Sequence, residues 1–139
     1  MFVELISPEG PLYTDEAESI TIPGGDGEIT VLRYHLPMMS TLQPGTVIIR
    51  RGTEEFYFAV TRGVIQVTPL TLRILADTAD RVEGLEEAAI EEARKTAEGL
   101  LKDRRSADSE AFAEASAQLE RTMAMLRSVR RHRARRSPR

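Results

Sequence analysis

The sequence predicts an N-terminal antiparallel β-sandwich followed by a C-terminal antiparallel two-helix hairpin. Up to about residue 76, short β-branched segments follow one another and are separated by turns containing glycine and proline, as in all-β domains. Near Asp80 the composition changes to a proline-free stretch rich in alanine, glutamate, leucine and lysine, which favours helix. We therefore expect a sandwich in residues 1–82 and a helical hairpin in residues 83–139.

Eight strands are predicted in the N-terminal part. In the third of them, Ile20 and Ile22 fall on one face and Ser19 and Thr21 on the other, which is the alternation of a sheet with one wet side. A parallel sheet would require helical crossovers, for which the connections leave no room. An antiparallel sandwich or a flattened barrel is therefore expected. The predicted strands are residues 2–6, 12–14, 17–22, 28–32, 46–50, 56–60, 64–68 and 72–76.

The chain around the fourth predicted strand is the least regular part of the sandwich. A tight turn is expected around Asp26, with its positive-φ positions supplied by Gly24, Gly25 and Gly27. A further glycine reversal is predicted at Gly63. Residues 33–39 are rich in large apolar and aromatic side chains and follow neither the strand period nor the helix period. We predict that they form an exposed loop that is covered by a partner.

Two amphipathic helices are predicted in the C-terminal part. The first spans residues 83–102, residues 103–107 interrupt the pattern, and Asp108 is the predicted N-cap of the second. Narrow, alanine-rich stripes joined by a short loop predict an antiparallel hairpin with close backbones. The stripes contain Ile90, Ala93, Ala97, Leu100 and Leu101 in the first helix and Phe112, Ala115, Leu119, Thr122, Leu126 and Val129 in the second. Beyond Arg130 the apolar stripe ends, and the tail is expected to fray.

Charge is distributed unevenly along the chain. The last nineteen residues hold eight of the 19 basic residues and none of the 22 acidic ones, although the net charge is only −3. The first 120 residues therefore carry 11 basic and 22 acidic residues, a formal charge of −11. An acidic body with a basic tail predicts that the tail meets an acidic partner or a polyanion, and a solvated tail is the alternative.

The composition also excludes several classes of site. The chain has no cysteine, which excludes disulfides and thiolate metal sites, and its two histidines cannot build a histidine-rich metal site. Neither an apolar run of membrane-spanning length nor an export signal is recognisable, which fits a cytosolic location. No nucleophile–base pair stands out, and the glycine-rich turn lacks the lysine and the following helix of a P-loop. We expect neither a catalytic site nor a metal site.

Several short motifs together resemble the ε subunit of rotary ATP synthases, which is called δ in mitochondria, over nearly the whole chain. The matching motifs are Pro23-Gly24, Gly27-Glu28, Val31-Leu32, His35-Leu36-Pro37, Leu42-Gln43-Pro44-Gly45, the Gly63 turn before Val64 and Val67, and residues 75–81. The chain departs from the family pattern in the same region. Family members usually have glycine where Thr30 stands, proline at Arg33, glycine or asparagine at Tyr34, alanine at Leu36, leucine at Met38 and a second glycine at Arg62.

The resemblance implies a non-catalytic rotor subunit on the cytoplasmic face of a bacterial inner membrane, attached only through its complex. Its sandwich would hold the γ subunit through His35, Leu36, Met38 and Met39, and would rest on the polar loops of the membrane c-ring through Glu28 and Asp26. Its hairpin would inhibit ATP hydrolysis by reaching the acidic helices of the catalytic β subunits through Arg121, Arg127, Arg130, Arg131 and Arg133.

Plainer interpretations of the same residues remain open. His35 could bond a backbone carbonyl, Glu28 could be a solvated charge at the start of a strand, and both Met38 and Met39 could belong to the sandwich core. A different function is a free adaptor whose basic tail binds nucleic acid or an anionic membrane, although no nucleic-acid partner is expected if the resemblance holds.

Some bacterial relatives bind ATP through an Ile/Leu-Asp-x-x-Arg-Ala motif at the start of the first helix. In register, this chain has Leu-Glu-Glu-Ala-Ala-Ile at residues 85–90, which lacks the arginine. A near-match with Glu91 and Arg94 lies five residues later, out of register. No cofactor is therefore expected, with ATP binding through Glu91 and Arg94 as the alternative.

Overall fold

The computed structural model describes residues 1–104 and 109–136, and within them the chain forms ten strands followed by two helices. This confirms the predicted order of a β-sandwich and a helical hairpin. The strands are β1 (Phe2–Ser7), β2 (Gly10–Glu16), β3 (Ser19–Gly24), β4 (Gly27–Leu32), β5 (Met38–Leu42), β6 (Gly45–Arg51), β7 (Glu54–Val60), β8 (Gly63–Val67), β9 (Thr71–Ala76) and β10 (Ala79–Arg81). The helices are α1 (Glu87–Arg104) and α2 (Ser109–Arg136).

The strands form one continuous sheet in the order β10-β7-β6-β3-β5-β8-β9-β1-β2, with β4 paired to β3 off this path. Its inward side chains come from alternate positions and pack into one core. Phe58, Leu5 and Ile74 are fully buried in this core. Burying such side chains stabilises the fold by about 1.5–3 kcal/mol each. The sandwich is therefore the rigid platform on which the loops and the hairpin are placed.

Three features of the sheet differ from the sequence-based expectation. One is that Ala79–Arg81, beyond the last predicted strand, is a short strand paired with β7. Met38–Leu42 is a strand that pairs with β8, so the irregular loop is shorter than predicted and ends at Pro37. The alternation of this strand was not visible in the sequence, because the apolar residue Met39 faces outward and only Leu42 is fully buried. In addition, β1 pairs with β9 in parallel, so the sheet is not antiparallel throughout. The chain between these two strands is the rest of the sandwich, which serves as the long crossover that parallel pairing requires.

The turn between β3 and β4 needs glycine for two different reasons. Gly27 has φ 121°, a conformation that other residues rarely adopt. Gly24 and Gly25 do not have positive φ, so that part of the prediction is wrong. At Gly25 the requirement is space, because a Cβ atom would lie 2.5 Å from Oγ1 of Thr41.

The hairpin is docked on the outside of the sandwich. α1 packs along α2, and α2 in turn packs on β6 and β7. A second core lies in this interface, where Leu126 and Val129 of α2 meet Ile48 and Tyr57 of the sheet. Leu126, predicted as part of the helix–helix seam, therefore packs against the sandwich. Phe112 remains partly exposed at the far end of the hairpin.

A buried polar pair lies in the same interface. The hydroxyl oxygens of Thr46 in β6 and Ser128 in α2 are 2.7 Å apart, and Ser128 is fully buried. Burying a hydroxyl without a hydrogen-bond partner costs roughly 1–3 kcal/mol. This pair therefore fixes the position of α2 along the strand.

The ends of the helices also differ from the prediction. α1 begins at Glu87, four residues later than expected, because Gly84 takes a left-handed conformation with φ 91°. The predicted N-cap Asp108 lies outside the described residues. Fraying beyond Arg130 is wrong, because α2 continues to Arg136. Arginine is a good helix former, and cations near a helix C-terminus interact favourably with the helix dipole. In the described part of the chain, neither helix is long and apolar enough to cross a membrane.

Candidate functional site

Large apolar side chains are exposed on one part of the sandwich. Three of them surround the loop after β4: Leu36 is 79% exposed, Tyr34 69% and Leu32 56%. Met39 on the neighbouring strand β5 is 71% exposed. Several large apolar side chains exposed on one loop and the strand after it indicate a protein-binding surface. We call these four residues, together with Val64 of β8 and Leu75 of β9, the apolar surface.

Tyr34 holds a backbone conformation that is unusual for its type. Its φ is 68°, in the left-handed region that favours glycine or asparagine. The conformation is held from both sides, because the Tyr34 N–H donates to the Pro69 carbonyl (2.8 Å) and the His35 N–H donates to the Leu32 carbonyl (3.1 Å). The guanidinium of Arg33 lies 5.7 Å from the centre of the Tyr34 ring. The loop is therefore ordered while presenting an aromatic ring to solvent.

The four residues predicted to contact γ are placed in different environments. Leu36 and Met39 belong to the apolar surface. His35 is half-buried, and its Nδ1 donates to the Leu36 carbonyl at 2.8 Å, as in the plainer interpretation of this residue. Met38 is half-buried and packs against the sandwich core. Only Leu36 and Met39 thus present large exposed apolar area to a partner.

Val64 and Leu75 were missed as surface residues by the sequence analysis. They are 41% and 46% exposed, and they lie opposite one another on β8 and β9. The signal was present in the alternation, since Ile65 and Val67 are buried and Val64 must therefore face outward. An apolar residue at an outward position on two adjacent strands extends the apolar surface across the sheet.

Glu28, the predicted c-ring contact, forms a bidentate ion pair with Arg131 near the end of α2. The two hydrogen bonds from the guanidinium are 2.7 and 3.2 Å long and connect residues 103 positions apart. Hydrogen bonding by Arg131 holds the pKa of Glu28 below its ordinary value. Asp26 is exposed at the tip of the same β3–β4 turn. A predicted rotor contact and a predicted inhibitory arginine therefore bind each other in this structure.

Three of the other arginines predicted to reach β subunits are also paired within the chain. Arg121 donates to both carboxylate oxygens of Asp80, at 2.9 and 2.7 Å. Arg130 and Arg133 each lie 2.7 Å from Glu87 of α1.

The fifth predicted arginine, Arg127, is exposed and lies beside a shallow groove. Further pairs, Arg135 with Glu55 and Arg62 with Glu120, join α2 to the sandwich. The basic side of α2 is thus largely neutralised by the acidic body.

Acid should weaken the docking of α2 through Glu28. Because the pKa of Glu28 is lower in the folded chain, its contribution is complete above about pH 4.3 and is lost as the pH falls through the lowered value. We expect the urea midpoint of wild type to fall more steeply than that of R131Q between pH 5 and pH 3. The difference should correspond to less than about 1 kcal/mol, since the pair is exposed. The pKa values of Glu87 and Glu91 are also lowered, by Arg130 and Arg94. Both carboxylates keep these partners in wild type and in R131Q, so their contributions cancel when the two proteins are compared. Parallel pH curves would contradict this assignment.

Glu91 and Arg94, the alternative nucleotide contacts, are bonded to each other on α1. Arg94 also donates to Glu98 at 2.6 Å, and Glu91 accepts from Arg130 at 3.4 Å. An anionic ligand at Arg94 would have to displace two carboxylates. No group of acidic and histidine side chains in the described residues is arranged to hold a metal ion.

Comparisons with known proteins point in one direction. Residues 1–82 match the family model described as the β-sandwich domain of the ATP synthase delta/epsilon chain. The chain is 38% identical over 134 residues to ATP synthase epsilon chain 1 of Methylococcus capsulatus, covering 96% of this chain and 94% of the relative. It is 35% identical to the ATP synthase epsilon chain of Alkalilimnicola ehrlichii, covering 97% and 96%. The similarity to both relatives thus includes the hairpin as well as the sandwich.

Solved structures share the fold. A chain of the Euglena gracilis mitochondrial ATP synthase, in a structure of OSCP, F1 and the c-ring, superposes with a TM-score of 0.70 at 20% identity. That superposition covers 88% of this chain and 77% of the other. A chain from the central stalk and c-ring of the Tetrahymena thermophila mitochondrial ATP synthase gives a TM-score of 0.53 at 17% identity, covering 95% of each.

Proposed function

Since the chain belongs to the delta/epsilon family of ATP synthase subunits, we propose that it is the non-catalytic subunit of the central stalk that links the γ subunit to the c-ring and restrains ATP hydrolysis. The family assignment extends over both the sandwich and the hairpin, because the curated relatives align with nearly the whole chain. Ion-driven ATP synthesis would be carried out by the complex, in which this chain transmits rotation.

The observation that most supports a stalk role is the apolar surface of the sandwich. Leu36 and Met39 are the most exposed of its members, and Val64 and Leu75 extend it over two further strands. A surface of this chemistry suits a permanent protein partner, whose apolar side chains would remove it from water at roughly 25 cal/mol per Å². We assign it to γ. His35 would then act by shaping the loop, and Met38 by anchoring it to the core.

The acidic turn between β3 and β4 is the second contact. Asp26 and Glu28 flank Gly27 at the tip of this turn and are exposed. Carboxylates at a protruding turn suit the polar loops of a c-ring. The subunit would then be peripheral, held on the cytoplasmic side of a bacterial inner membrane by its complex.

The docked hairpin corresponds to the non-inhibitory state. Arg121 and Arg131 are bound by Asp80 and Glu28 of the sandwich, so neither can pair with a carboxylate of a β subunit at the same time. Inhibition therefore requires that α2 leave the sandwich and carry its arginines to the acidic partner. The same pairing argues against a docked tail that binds nucleic acid, because phosphates would compete with carboxylates already in place.

Co-purification tests the stalk role. A tagged chain expressed with its own synthase should retain γ and c subunits at low salt, and should still retain γ through washes at high salt, since the γ contact is mainly apolar. A double substitution on the apolar surface, L36D with M39D, should abolish retention of γ. The pair T14D with T53D, at exposed positions on β2 and in the turn between β6 and β7, serves as a control for added charge away from this surface. Salt-sensitive retention of nucleic acid without γ or c would favour the adaptor function instead.

Removal of the hairpin tests the restraint on hydrolysis. Deleting residues 83–139 should leave assembly intact, because both proposed stalk contacts lie in the sandwich, and should raise ATP hydrolysis by the complex several-fold. Phosphate release by purified complexes, normalised to their β-subunit content, is the measurement. Unchanged hydrolysis by a fully assembled complex would contradict the inhibitory role.

A further inference from the structure

The ion pair between Glu28 and Arg131 connects a residue proposed to contact the c-ring with a residue proposed to contact the β subunits. Glu28 lies at the start of β4, and Arg131 lies in the last two turns of α2. Both side chains are close to half exposed, at 47% and 42%, so a partner can reach either without unfolding the chain. The geometry is nevertheless specific, because two guanidinium nitrogens meet two carboxylate oxygens.

The bidentate pair with Arg131 uses both oxygens of Glu28. A polar or basic loop that binds the same two oxygens from outside therefore competes with the guanidinium. Removing Arg131 from Glu28 leaves an unpaired cation at the C-terminal end of α2, and it becomes available to an acidic partner. The reverse also holds, because a docked α2 occupies the group that the outside loop would bind.

We propose that Glu28 is an exchange point, at which engagement of the β3–β4 turn by the c-ring displaces Arg131 and loosens the end of α2 from the sandwich. The proposal rests on the proposed function, which supplies the partner at this turn. It adds a thermodynamic coupling: attachment of the sandwich to the rotor and release of the hairpin favour each other through one carboxylate. Other contacts between α2 and the sandwich, among them Arg121 with Asp80 and Thr46 with Ser128, do not involve Glu28 and would still hold the helix after Arg131 is displaced.

Hydrogen exchange of backbone amides tests whether Arg131 is displaced from Glu28. The protection of residues 122–129 of α2, which face the sandwich, reports how often the helix leaves it. In the isolated full-length chain, E28Q and R131Q should each lower this protection about two- to fivefold, as expected for an exposed ion pair. The double variant should lose no more than either single variant, because both substitutions remove the same interaction.

The decisive comparison is made in the assembled synthase. There the c-ring holds Glu28, so E28Q should leave the protection of residues 122–129 unchanged. The matched control is E120Q, which removes a carboxylate from a different pair between α2 and the sandwich, that with Arg62, and should lower protection equally in both states. An E28Q effect of undiminished size in the assembled complex would overturn the exchange while leaving the proposed function intact. Failure of the wild-type chain to assemble with γ and c would overturn the proposed function and this inference with it.

Discussion

A disulfide between positions 46 and 128 is expected to remove the restraint on ATP hydrolysis from the assembled complex. The hydroxyl oxygens of Thr46 and Ser128 are 2.7 Å apart across the interface, so the double substitution T46C and S128C places two thiols face to face. The natural chain has no cysteine, and the introduced pair would be the only thiols in this subunit. Oxidation would hold α2 on the sandwich and keep Arg121 and Arg131 on their internal carboxylates.

Hydrolysis by the oxidised complex should equal that of the complex lacking residues 83–139, and reduction should restore inhibition. This comparison is cleaner than deletion, because deletion exposes the apolar face formed by Ile48 and Tyr57. The single variants T46C and S128C control for loss of the buried hydrogen bond, and their hydrolysis should not respond to oxidant. Inhibition that persists with the disulfide fully formed would mean that the docked hairpin is itself inhibitory.

Substitution of Gly63 by alanine, which adds one methyl group, is expected to lower the free energy of unfolding more than any other glycine substitution considered. A Cβ atom at this position would lie 1.9 Å from the carbonyl oxygen of Leu75 and 3.0 Å from Cα of Ala76. Both neighbours are backbone atoms of β9, which cannot move without breaking the β8–β9 ladder. Overpacking of this kind costs about 1–3 kcal/mol and sometimes more, and we expect a loss of about 3 kcal/mol or more for G63A.

The matched control is G99A, which makes the same chemical change in α1 where no atom lies within 4 Å of the new Cβ. This variant should gain up to about 1 kcal/mol, because alanine is the better helix former. Urea unfolding followed by circular dichroism gives the free energy of unfolding of both variants. A loss smaller than about 1 kcal/mol for G63A would show that β8 can separate from β9 at this point.

Gly63 also illustrates how a correct residue was predicted for the wrong reason. The sequence indicated a glycine in a reversal, whereas the residue lies at the start of β8, does not have positive φ and is required by the closeness of β9. The converse occurs at Tyr34, where a bulky residue does hold positive φ. A turn glycine and a close-packed glycine look alike in sequence, because both appear between two strands.

The candidate site was predicted residue by residue with mixed outcomes. Leu36 and Met39 are exposed as a partner contact requires, whereas Met38 packs on the core, as the alternative interpretation of this residue had it. Strand β5 was missed because only one of its five residues is fully buried, which leaves too weak an alternation to recognise. Val64 and Leu75 could have been found from the alternation of their strands, since each stands at an outward position.

The sequence by itself determined most of the segments that become strands and both helices, and the family motifs that they carry. Alternation at period two and apolar stripes at period 3.6 are local properties, and the pairs Ile20–Ile22 and Ile90–Ala97 express them without help from the rest of the chain. Only the tertiary structure decided that Glu28 binds Arg131, 103 positions away, and that Arg121 binds Asp80, 41 positions away. These pairs depend on where a rigid hairpin docks on a rigid sandwich, and no local period of the sequence encodes that position.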